Sequence, residues 1–287
     1  MLKIRKAVLT SAGLGSRLIP ATKELPKEML PIFCKGKKGH LCVKPLLQMI
    51  FEQLYSNGVR EFCFIVGRGK RSIEDHFTPD WKFVKDLNEK GKDILAEELQ
   101  EFYKMVENST IVWVNQPEPK GFGHAVLLAK SFVDDETFIV SAGDTYIVSQ
   151  EDSHIRRLID GYSKSKAKAT LLLQRITQPR MYGVAIVNEG SEVLKVERVV
   201  EKPQIPPSDW AIMPLYIFDP IIMDAISRVK PGVGGEIQLT DAIQLLIDGE
   251  EGVTAVTLNE DEIRLDIGTP ETYWEALKTS YNLWKCV

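Results

Sequence analysis

The sequence predicts an α/β protein whose central sheet is mixed but mostly parallel and is flanked by helices. In the first half of the chain, short apolar runs alternate with longer segments of helical spacing, a pattern typical of βαβ units. In the second half, the apolar runs follow one another more closely with turn residues between them, which favours a more mixed sheet. The predicted strands are residues 7–11, 62–66, 111–115, 138–141, 169–174, 183–187, 193–199 and 211–218.

Two helical segments stand out from this alternation. An insertion of about residues 79–108 is predicted to be helical. Its apolar residues recur at helical spacing and form one inward-facing stripe: Leu95, Leu99, Phe102 and Val106. A second helix is predicted over about residues 270–285, where Thr269 can cap the helix and Pro270 suits its first turn. All of residues 1–287 are expected to form one domain.

Composition and charge exclude several classes of protein. The chain has 287 residues, 44% of them hydrophobic and 26% charged, which is ordinary for a globular protein and excludes collagen, coiled coil and bulk disorder. The formal net charge is −4, so the chain lacks the basic footprint of a non-specific nucleic-acid binder. No apolar run approaches the roughly 20 residues of a membrane helix. With no export signal in the sequence, we expect a cytoplasmic protein.

The cysteines are expected to be free thiols, because disulfides are rare in the cytoplasm. They are Cys34, Cys42, Cys63 and Cys286. Cys34, His40 and Cys42 lie close together in the sequence, but their spacing matches no standard zinc pattern and a fourth ligand is missing. We therefore predict no zinc site in that segment.

A glycine-rich loop follows the first predicted strand, where a phosphate-binding loop would lie. Gly13 and Gly15 let backbone N–H groups approach an anion closely. The dinucleotide fingerprint fails because its third glycine position is Leu18, and the P-loop pattern fails because no Gly-Lys-Ser/Thr follows. Prolines in the next stretch forbid a regular helix, so we expect it to lie extended over the strand ends. It carries the cations Arg17, Lys23 and Lys27, and the combination predicts a triphosphate site.

Residues 12–32, AGLGSRLIPATKELPKEMLPI, resemble the signature of the nucleotidyltransferases that activate sugar 1-phosphates. Within that family, they are most similar to the bacterial-type UTP–glucose-1-phosphate uridylyltransferases. Further motifs of this subgroup follow in order: SIEDHF at 72–77, QPEPKGFGHA at 116–125, YGV at 182–184, EKP at 201–203 and GEIQLTD at 235–241. Each motif is weak alone, but together they extend the resemblance over nearly the whole chain. The resemblance implies a Rossmann-like nucleotidyltransferase fold.

The resemblance also implies a reaction between UTP and glucose 1-phosphate. An oxygen of the sugar phosphate attacks the α-phosphorus of the triphosphate, pyrophosphate leaves, and a nucleotide sugar forms. Because the nucleophile is already ionised at neutral pH, the site needs cations and a metal more than it needs a base. The family motif gives Arg17 the leaving pyrophosphate, and it places Lys27 on the triphosphate near the reacting phosphorus.

The same resemblance implies the groups that hold the nucleotide. Glu28 and Gln116 are expected to read the base. A carboxylate can accept a hydrogen bond from uracil N3–H, a donor that cytosine lacks, so Glu28 favours a uracil-like or thymine-like base. The other implied nucleotide-binding residues are Ala12, Gly13, Gly15, Gly121 and Gly143.

Two carboxylates and three further residues complete the implied site. Asp144 follows a buried strand, where α/β sheets bind ligands, and Asp266 is the second family-matched carboxylate. Together they are expected to hold Mg²⁺, which takes one or two protein carboxylates and fills its shell with phosphate and water. In the family, Glu201 accepts from sugar hydroxyls, Lys202 meets the sugar phosphate, and Gly183 lets the backbone approach the sugar.

Other polar residues in these motifs are left out of the predicted site. His124 follows a glycine-rich turn at a helix start, and the reaction needs no deprotonation, so we interpret it as structural rather than as a general base. Thr240 and Asp241 are interpreted as the cap of a helix over 242–247. Aromatic residues in the C-terminal helix, together with the family resemblance, favour a homo-oligomer, either a dimer or a tetramer.

Departures from the subgroup leave alternatives open. Residues 33–43 are extra and are predicted to be a surface loop, while residues 211–216 lack the usual Gly-Arg-Tyr. Residues 266–270 look more like those of the thymidylyltransferases. The alternatives are therefore an enzyme that uses dTTP or both nucleotides, another sugar phosphate, or a non-catalytic protein that binds nucleotide sugars. A glycosyltransferase is disfavoured because no Asp-x-Asp motif occurs at Asp144.

Overall fold

The computed structural model describes residues 4–285, with only the backbone described at Val233. Strands and helices alternate along this part of the chain. The strands are β1 (Lys6–Ser11), β2 (Pro31–Lys35), β3 (Leu41–Pro45), β4 (Glu61–Gly67), β5 (Thr110–Gln116), β6 (Phe138–Ala142), β7 (Thr145–Val148), β8 (Ala169–Arg175), β9 (Gly183–Asn188), β10 (Leu194–Glu201), β11 (Trp210–Phe218), β12 (Val253–Thr257) and β13 (Ile263–Asp266). The helices are α1 (Leu46–Ser56), α2 (Arg71–His76), α3 (Trp81–Glu89), α4 (Asp93–Glu107), α5 (Phe122–Leu127), α6 (Lys130–Val133), α7 (Ser153–Ser165), α8 (Ile221–Arg228), α9 (Leu239–Asp248) and α10 (Pro270–Trp284).

The main sheet has the strand order β5-β4-β1-β6-β11-β8-β12-β10-β9. Within residues 4–285, seven of its nine strands run in one direction, and only β11 and β10 run against them. The prediction of a mixed but mostly parallel sheet is therefore confirmed. All the predicted strands lie in this sheet, with ends within two residues of their predicted positions, and β12 is a further strand that was not predicted.

Helices cover both faces of the sheet because its central strands are apolar on both sides. β1 is buried along its whole length, as expected for a strand in the middle of a parallel sheet. On one face, α1, α2, α3, α4, α7 and α10 pack around residues such as Phe51, Phe62 and Leu158. On the other face, α5, α6, α8 and α9 pack around Phe138, Phe218 and Ile243.

Residues 33–43 form a β-hairpin, which corrects the prediction of a surface loop. β2 and β3 pair in antiparallel register, and Cys34 lies directly opposite Cys42. The hairpin is fixed to the C-terminal helix, because the hydroxyl of Ser280 accepts from the backbone N–H of Phe33 at 3.3 Å. The tip is rich in Lys and Gly, and this composition is typical of a loop. It outweighed the alternating pattern of the two short strands in the prediction.

The helical insertion is two helices rather than one continuous stretch. α3 and α4 are separated by a turn at Gly91, whose φ of +67° suits a residue without a side chain. Phe102 and Val106 are buried as predicted, but Leu95 is 49% exposed because it lies in the first turn of α4, beyond the core. The inward stripe is therefore shorter than the spacing predicted.

The C-terminal helix begins at Pro270, as predicted. The hydroxyl of Thr269 accepts from the backbone N–H of Thr272, and the hydroxyl of Thr272 accepts from the backbone N–H of Thr269. The two residues therefore form a capping box. Cys286 lies outside the described residues. Among residues 4–285, no helix is long and apolar enough to span a membrane.

The proline-containing stretch after the glycine loop is not simply extended, which corrects that prediction. It folds into three short 3₁₀ turns, Ser16–Leu18, Ala21–Lys23 and Lys27–Met29. Single turns of this kind need few backbone hydrogen bonds and so tolerate prolines that would break an α-helix. They bring Lys27 and Glu28 back towards the ends of β1 and β6.

Candidate active site

A cavity of 480 Å³ opens at the carboxyl ends of β1 and β6. This is the edge at which open α/β sheets bind ligands. Its lining includes nine of the residues predicted to bind nucleotide, phosphate or metal: Ala12, Gly13, Gly15, Arg17, Lys27, Glu28, Gln116, Gly121 and Asp144. The structure thus brings together, in one cavity, residues that are up to 132 positions apart in the sequence, from Ala12 to Asp144.

The shape of the glycine loop depends on Gly15. Its φ is +63°, and its carbonyl accepts from the Leu18 amide at 2.9 Å and from the Thr22 hydroxyl at 2.7 Å. A Cβ added at Gly15 would approach the Thr22 Cβ to 3.1 Å. The loop is therefore closed tightly against the first two 3₁₀ turns. Arg17, in the first of these turns, is exposed and lines the cavity.

Gly143 lies behind the cavity lining rather than in it. A Cβ at this position would meet the Ser11 hydroxyl at 2.6 Å, and the Gly143 amide donates to the Thr10 carbonyl at 2.9 Å. Glycine is needed here because β1 and the end of β6 pack too closely for a side chain. This close packing holds Asp144 at the cavity wall.

Lys27 and Asp144, both in the cavity lining, form an ion pair in which the ammonium donates to Oδ2 of the carboxylate. Burial lowers the pKa of Lys27, but the charge and the hydrogen bond of Asp144, together with the charges of Glu28 and Asp266, outweigh burial, so the pKa is raised overall. Asp266 ends β13, which pairs with β7 so that Asp266 lies opposite Thr145. The Thr145 hydroxyl is 3.4 Å from Oδ1 of Asp144 and 3.3 Å from Oδ1 of Asp266, so it joins the two carboxylates.

The two carboxylates fit the requirement for Mg²⁺. Burial raises the pKa of Asp266, and the neighbouring charge of Asp144 raises it further, which is the signature of two carboxylates close enough to repel each other. Within the described part of the chain, no group of three or more His, Cys, Asp or Glu side chains is arranged to hold a metal. Mg²⁺ does not need a group of three such side chains, because it commonly takes only one or two protein carboxylates and completes its shell with phosphates and water.

In the same cavity lining, Glu28 and Gln116 are each held by a residue outside the predicted site. The Lys70 ammonium donates to Glu28 Oε2 at 2.8 Å. The Gln116 side-chain nitrogen is 2.8 Å from Nδ1 of His124, and burial lowers the pKa of that histidine. Lys70 lies in a Gly-Lys-Arg stretch in which no local pattern indicates a partner. Only the need to balance a buried Glu28 could have indicated it.

The three residues predicted to bind the sugar phosphate lie together, but outside the cavity lining. Gly183 and Glu201 are directly paired across β9 and β10. The Lys202 ammonium is 3.1 Å from Glu201 Oε1, and Lys202 has a φ of +39° where the chain turns out of β10. A Cβ at Gly183 would lie 3.2 Å from Glu201 Oε2, so the missing side chain leaves room for that carboxylate.

Thr240 belongs to this group and is not the helix cap that we predicted. α9 begins at Leu239 with Gln238 at its N-cap position, so Thr240 lies inside the first turn. Its hydroxyl donates to Glu201 Oε2 at 2.6 Å. The same segment begins at Glu236, which lines the nucleotide cavity. Residues 236–240 therefore connect the cavity with the predicted sugar site.

Comparison with known proteins agrees with the class of site that this geometry defines. A family model described as Nucleotidyl transferase matches residues 6–282, nearly the whole chain. The chain belongs to the nucleotidyl transferase family. Its fold is accordingly the Rossmann-like fold of that family, as predicted.

Similar curated proteins narrow the resemblance to one group. The chain is 39% identical over 252 residues to the UTP–glucose-1-phosphate uridylyltransferase of Bacillus subtilis (strain 168), covering 86% of this chain and 81% of that protein. It is 37% identical over 273 residues to UTP–glucose-1-phosphate uridylyltransferase 2 of Staphylococcus saprophyticus, covering 93% of this chain and 89% of that protein. These relatives confirm the resemblance that the motifs indicated.

Solved structures give the same result. A UDP-glucose pyrophosphorylase complexed with UDP-glucose superposes with a TM-score of 0.83 and 29% identity, covering 98% of this chain and 99% of that one. A UTP-bound UGPase from Acinetobacter baumannii superposes with a TM-score of 0.82 and 28% identity, covering 96% of this chain and 93% of that one. A glucose-1-phosphate thymidylyltransferase described as putative, from Bacillus anthracis, reaches a TM-score of 0.69 at 22% identity, a likeness of fold alone.

Proposed function

We propose that this protein transfers the uridylyl group of UTP to α-D-glucose 1-phosphate and releases UDP-glucose and pyrophosphate. The observation that carries the proposal is the convergence of Lys27, Asp144, Glu28 and Gln116 on one cavity at the carboxyl edge of the sheet. The relatives named for this reaction, and the similar structures described as UTP-bound or complexed with UDP-glucose, support the choice of substrates.

In this proposal, catalysis is mainly positioning and charge neutralisation. Lys27 lies against the α-phosphate, where its charge offsets the negative charge that builds up as the sugar phosphate attacks in line. Arg17 binds the departing pyrophosphate, since a guanidinium donates to two phosphate oxygens at once. No side chain removes a proton, because the attacking phosphate oxygen is already ionised. His124 accordingly has no proton-transfer role.

Asp144 and Asp266 would hold Mg²⁺ between them. The bound cation would supply charge neutralisation to the phosphates of both substrates. Asp144 has a second task, which is to fix Lys27 through their ion pair. We therefore expect Asp144 to contribute to both substrate charge balance and the position of Lys27.

The sugar phosphate would bind where β9, β10 and α9 meet. Glu201 would accept from two neighbouring hydroxyls of glucose, and Lys202 would neutralise the phosphate. Thr240 orients Glu201 through its hydrogen bond. The backbone at Gly183 borders this position without a side chain, and Lys202 remains partly exposed, as a group that must meet an incoming phosphate should.

We also propose that the protein is a homo-oligomer, a dimer or a tetramer. Trp274 and Tyr281 on α10 are exposed, at 60% and 44%, although the same helix packs its other side on β2 and β13. Location in the cytoplasm stays a prediction. Light scattering on the purified protein tests the oligomer proposal, and a monomeric mass would contradict it.

The proposed reaction is tested by measuring pyrophosphate release with glucose 1-phosphate and Mg²⁺, using UTP, dTTP, CTP, GTP and ATP in parallel. Preference for UTP, with UDP-glucose identified by mass, is the expected result. Preference for dTTP would move the protein to the thymidylyltransferases. No turnover with any nucleotide or hexose phosphate, together with measurable UDP-glucose binding, would favour a non-catalytic binding protein.

A further inference from the structure

The pair formed by Lys70 and Glu28 is unusually deep for two charged side chains. Glu28 is 1% exposed and Lys70 is 8% exposed. Among the ion pairs of residues 4–285, it is the one in which both side chains are less than a tenth exposed. Burying two charges is costly unless they are well paired, so stability alone does not explain why this pair is buried so deeply.

The position of Lys70 suggests that reason. Glu28 lines the 480 Å³ nucleotide cavity, whereas Lys70 lines a smaller, 140 Å³ cavity beside it. The two cavities share Ala12, Gly13 and Gln116 as walls. Lys70 thus reaches the carboxylate from outside the nucleotide cavity and does not occupy the space of a base.

We propose that Lys70 is a positioning residue for nucleotide specificity: it keeps Glu28 an ionised hydrogen-bond acceptor, and thereby sets the preference for a base with an N3–H donor over cytosine. This inference rests on the proposed function, in which Glu28 reads the base. Each carboxylate oxygen has two lone pairs, so the bond from Lys70 leaves acceptor capacity for the nucleotide.

The protonation state of Glu28 decides which base it complements. Burial raises the pKa of Glu28, while the charges of Lys70 and then Lys27 oppose the rise. Lys27 is already paired with Asp144, whereas Lys70 is paired directly with Glu28. An ionised carboxylate only accepts and matches N3–H of uracil or thymine, whereas a protonated one can donate to the bare N3 of cytosine.

The test compares Lys70→Met with the wild type and with Lys70→Arg, which restores the charge. For each, kcat/KM is measured for UTP and for CTP with glucose 1-phosphate, between about pH 6 and pH 9. We expect the UTP-to-CTP ratio to fall at least about tenfold in Lys70→Met near neutral pH, because one charge-assisted bond is lost. The ratio should rise again at high pH as Glu28 ionises, and Lys70→Arg should recover much of it at all pH values.

Lys44→Met is the matched control. Lys44 is also a largely buried lysine, paired with Glu52 at 3.0 Å, but it lies on the hairpin rather than at the nucleotide cavity. It should lower the unfolding midpoint without changing the UTP-to-CTP ratio. A ratio in Lys70→Met equal to that of the wild type across the pH range would overturn the inference. Absence of UTP turnover in the wild type would instead reject the proposed function, so the two failures are distinguishable.

A second observation, independent of the first, concerns two cysteines on the hairpin. Cys34 and Cys42 face each other across β2 and β3, with their Sγ atoms 3.1 Å apart. Cys34 is buried, whereas Cys42 is half-buried. The hydrogen bond from Cys34 and, to a smaller extent, the charge of Lys44 lower the pKa of the Cys42 thiol.

We infer that this pair is a modification site, which a low-molecular-weight disulfide converts reversibly into an intrachain disulfide. The Cys42 thiolate attacks one sulfur of the small disulfide, forms a mixed disulfide and releases one thiolate. Cys34 then loses its proton and attacks the Cys42 sulfur, which releases the second small thiol. Two protein thiols are oxidised and one small disulfide is reduced, so atoms and electrons balance.

Incubation with oxidised glutathione, followed by peptide mass mapping, tests this inference. The expected product is one peptide pair linked through Cys34 and Cys42, two hydrogens lighter and reversed by dithiothreitol. Cys34→Ser should stop at a stable glutathione adduct on Cys42. Cys63→Ser is the control, since Cys63 is fully buried and burial raises the pKa of its thiol to about 12. Unmodified Cys34 and Cys42, or a lasting adduct in the wild type, would overturn the inference.

Discussion

The nucleotide end and the sugar end of the site are assembled in different ways. At the nucleotide end, Gly13, Gln116 and Asp144 each follow or end a parallel strand, so the sheet itself brings them to one edge. At the sugar end, Gly183 and Glu201 lie on antiparallel strands at the far side of the sheet. There the position of Glu201 depends on Thr240, which comes from a helix 39 residues further on.

This difference has a mechanical consequence. The nucleotide end is fixed by close backbone packing and by buried ion pairs, so a change there removes a charge from a rigid frame. At the sugar end, one hydrogen bond from Thr240 ties the Glu201 carboxylate to α9, so a change there displaces that carboxylate without removing it. We therefore expect the loss of a charge at the nucleotide end to act mainly on kcat, and substitutions at the sugar end to act mainly on the KM for glucose 1-phosphate.

Asp144→Asn should have the largest effect. The substitution keeps the shape of the side chain but removes the charge that holds Lys27 and would hold Mg²⁺. We expect kcat to fall on the order of a thousandfold, as for the loss of other groups that stabilise transition-state charge. Steady-state kinetics of UDP-glucose formation measures the change.

Asp152→Asn provides a matched control for that variant. Asp152 is also largely buried and accepts from Gln53 at 2.7 Å and Asn57 at 3.1 Å, away from the nucleotide cavity. It should change stability but leave kcat near the wild-type value. A kcat within about tenfold of wild type for Asp144→Asn would remove Asp144 from the centre of the mechanism.

Gly183→Ala should act at the sugar end alone. The added Cβ would lie 2.9 Å from the Thr240 hydroxyl and 3.2 Å from Glu201 Oε2, so these groups must move apart. We expect the KM for glucose 1-phosphate to rise on the order of thirtyfold, because small displacements of a positioning group are costly. The KM for UTP should be unchanged, as measured by varying each substrate at saturation of the other.

Gly252→Ala is the control for added volume, since its Cβ would come no closer than 3.5 Å to Ala167. It should leave both KM values unchanged. If Gly183→Ala raised the two KM values equally, the sugar end and the nucleotide end would not be separable, and the comparison between them would fail.

The contrast also explains which parts of the site could be predicted from the sequence. Arg17, Lys27 and Asp144 were predicted to share one site because their motifs resemble those of the family, and all three line the same cavity. Lys70 and Thr240 act through partners 42 and 39 positions away, and no local pattern carries that information. The prediction for Thr240 was wrong for a physical reason: threonine is a common N-cap, and only the structure shows that the helix begins at Leu239, three residues before the predicted start at residue 242.

The fold shows the same limit. Buried strands give apolar runs, so eight of the nine strands that the structure describes in the main sheet were predicted with ends within two residues, and β12 was missed. The hairpin at residues 33–43 was not, because its short strands are stabilised by contact with α10 rather than by their own composition. Its position could be known only once the C-terminal helix was placed.

Thr240→Val should have a smaller effect than Gly183→Ala at the same end. It removes one hydrogen bond to the Glu201 carboxylate without adding bulk near it. We expect the KM for glucose 1-phosphate to rise about tenfold, with kcat and the KM for UTP little changed. Thr240→Ser, which keeps the hydroxyl, should behave like the wild type. A loss in the serine variant with none in the valine variant would show that the methyl contact, not the hydrogen bond, matters.

His124→Asn should have the smallest effect, and only at low pH. Burial and then the charge of Lys120 lower the pKa of His124, so its imidazole is neutral near pH 7 and Nδ1 can accept from the Gln116 amide. As the pH falls through the lowered pKa, Nδ1 gains a proton, and the Gln116 amide must turn over. This turn exchanges the donor and acceptor groups that Gln116 presents to the base.

We expect the KM for UTP to rise a few-fold in the wild type between about pH 7.5 and pH 5. Asparagine presents an oxygen near the place of Nδ1 and does not titrate, so the variant should lack that rise. Because glucose 1-phosphate itself gains a proton in this range, the informative quantity is the difference between the two proteins. Parallel pH profiles would mean that His124 does not govern how Gln116 meets the base.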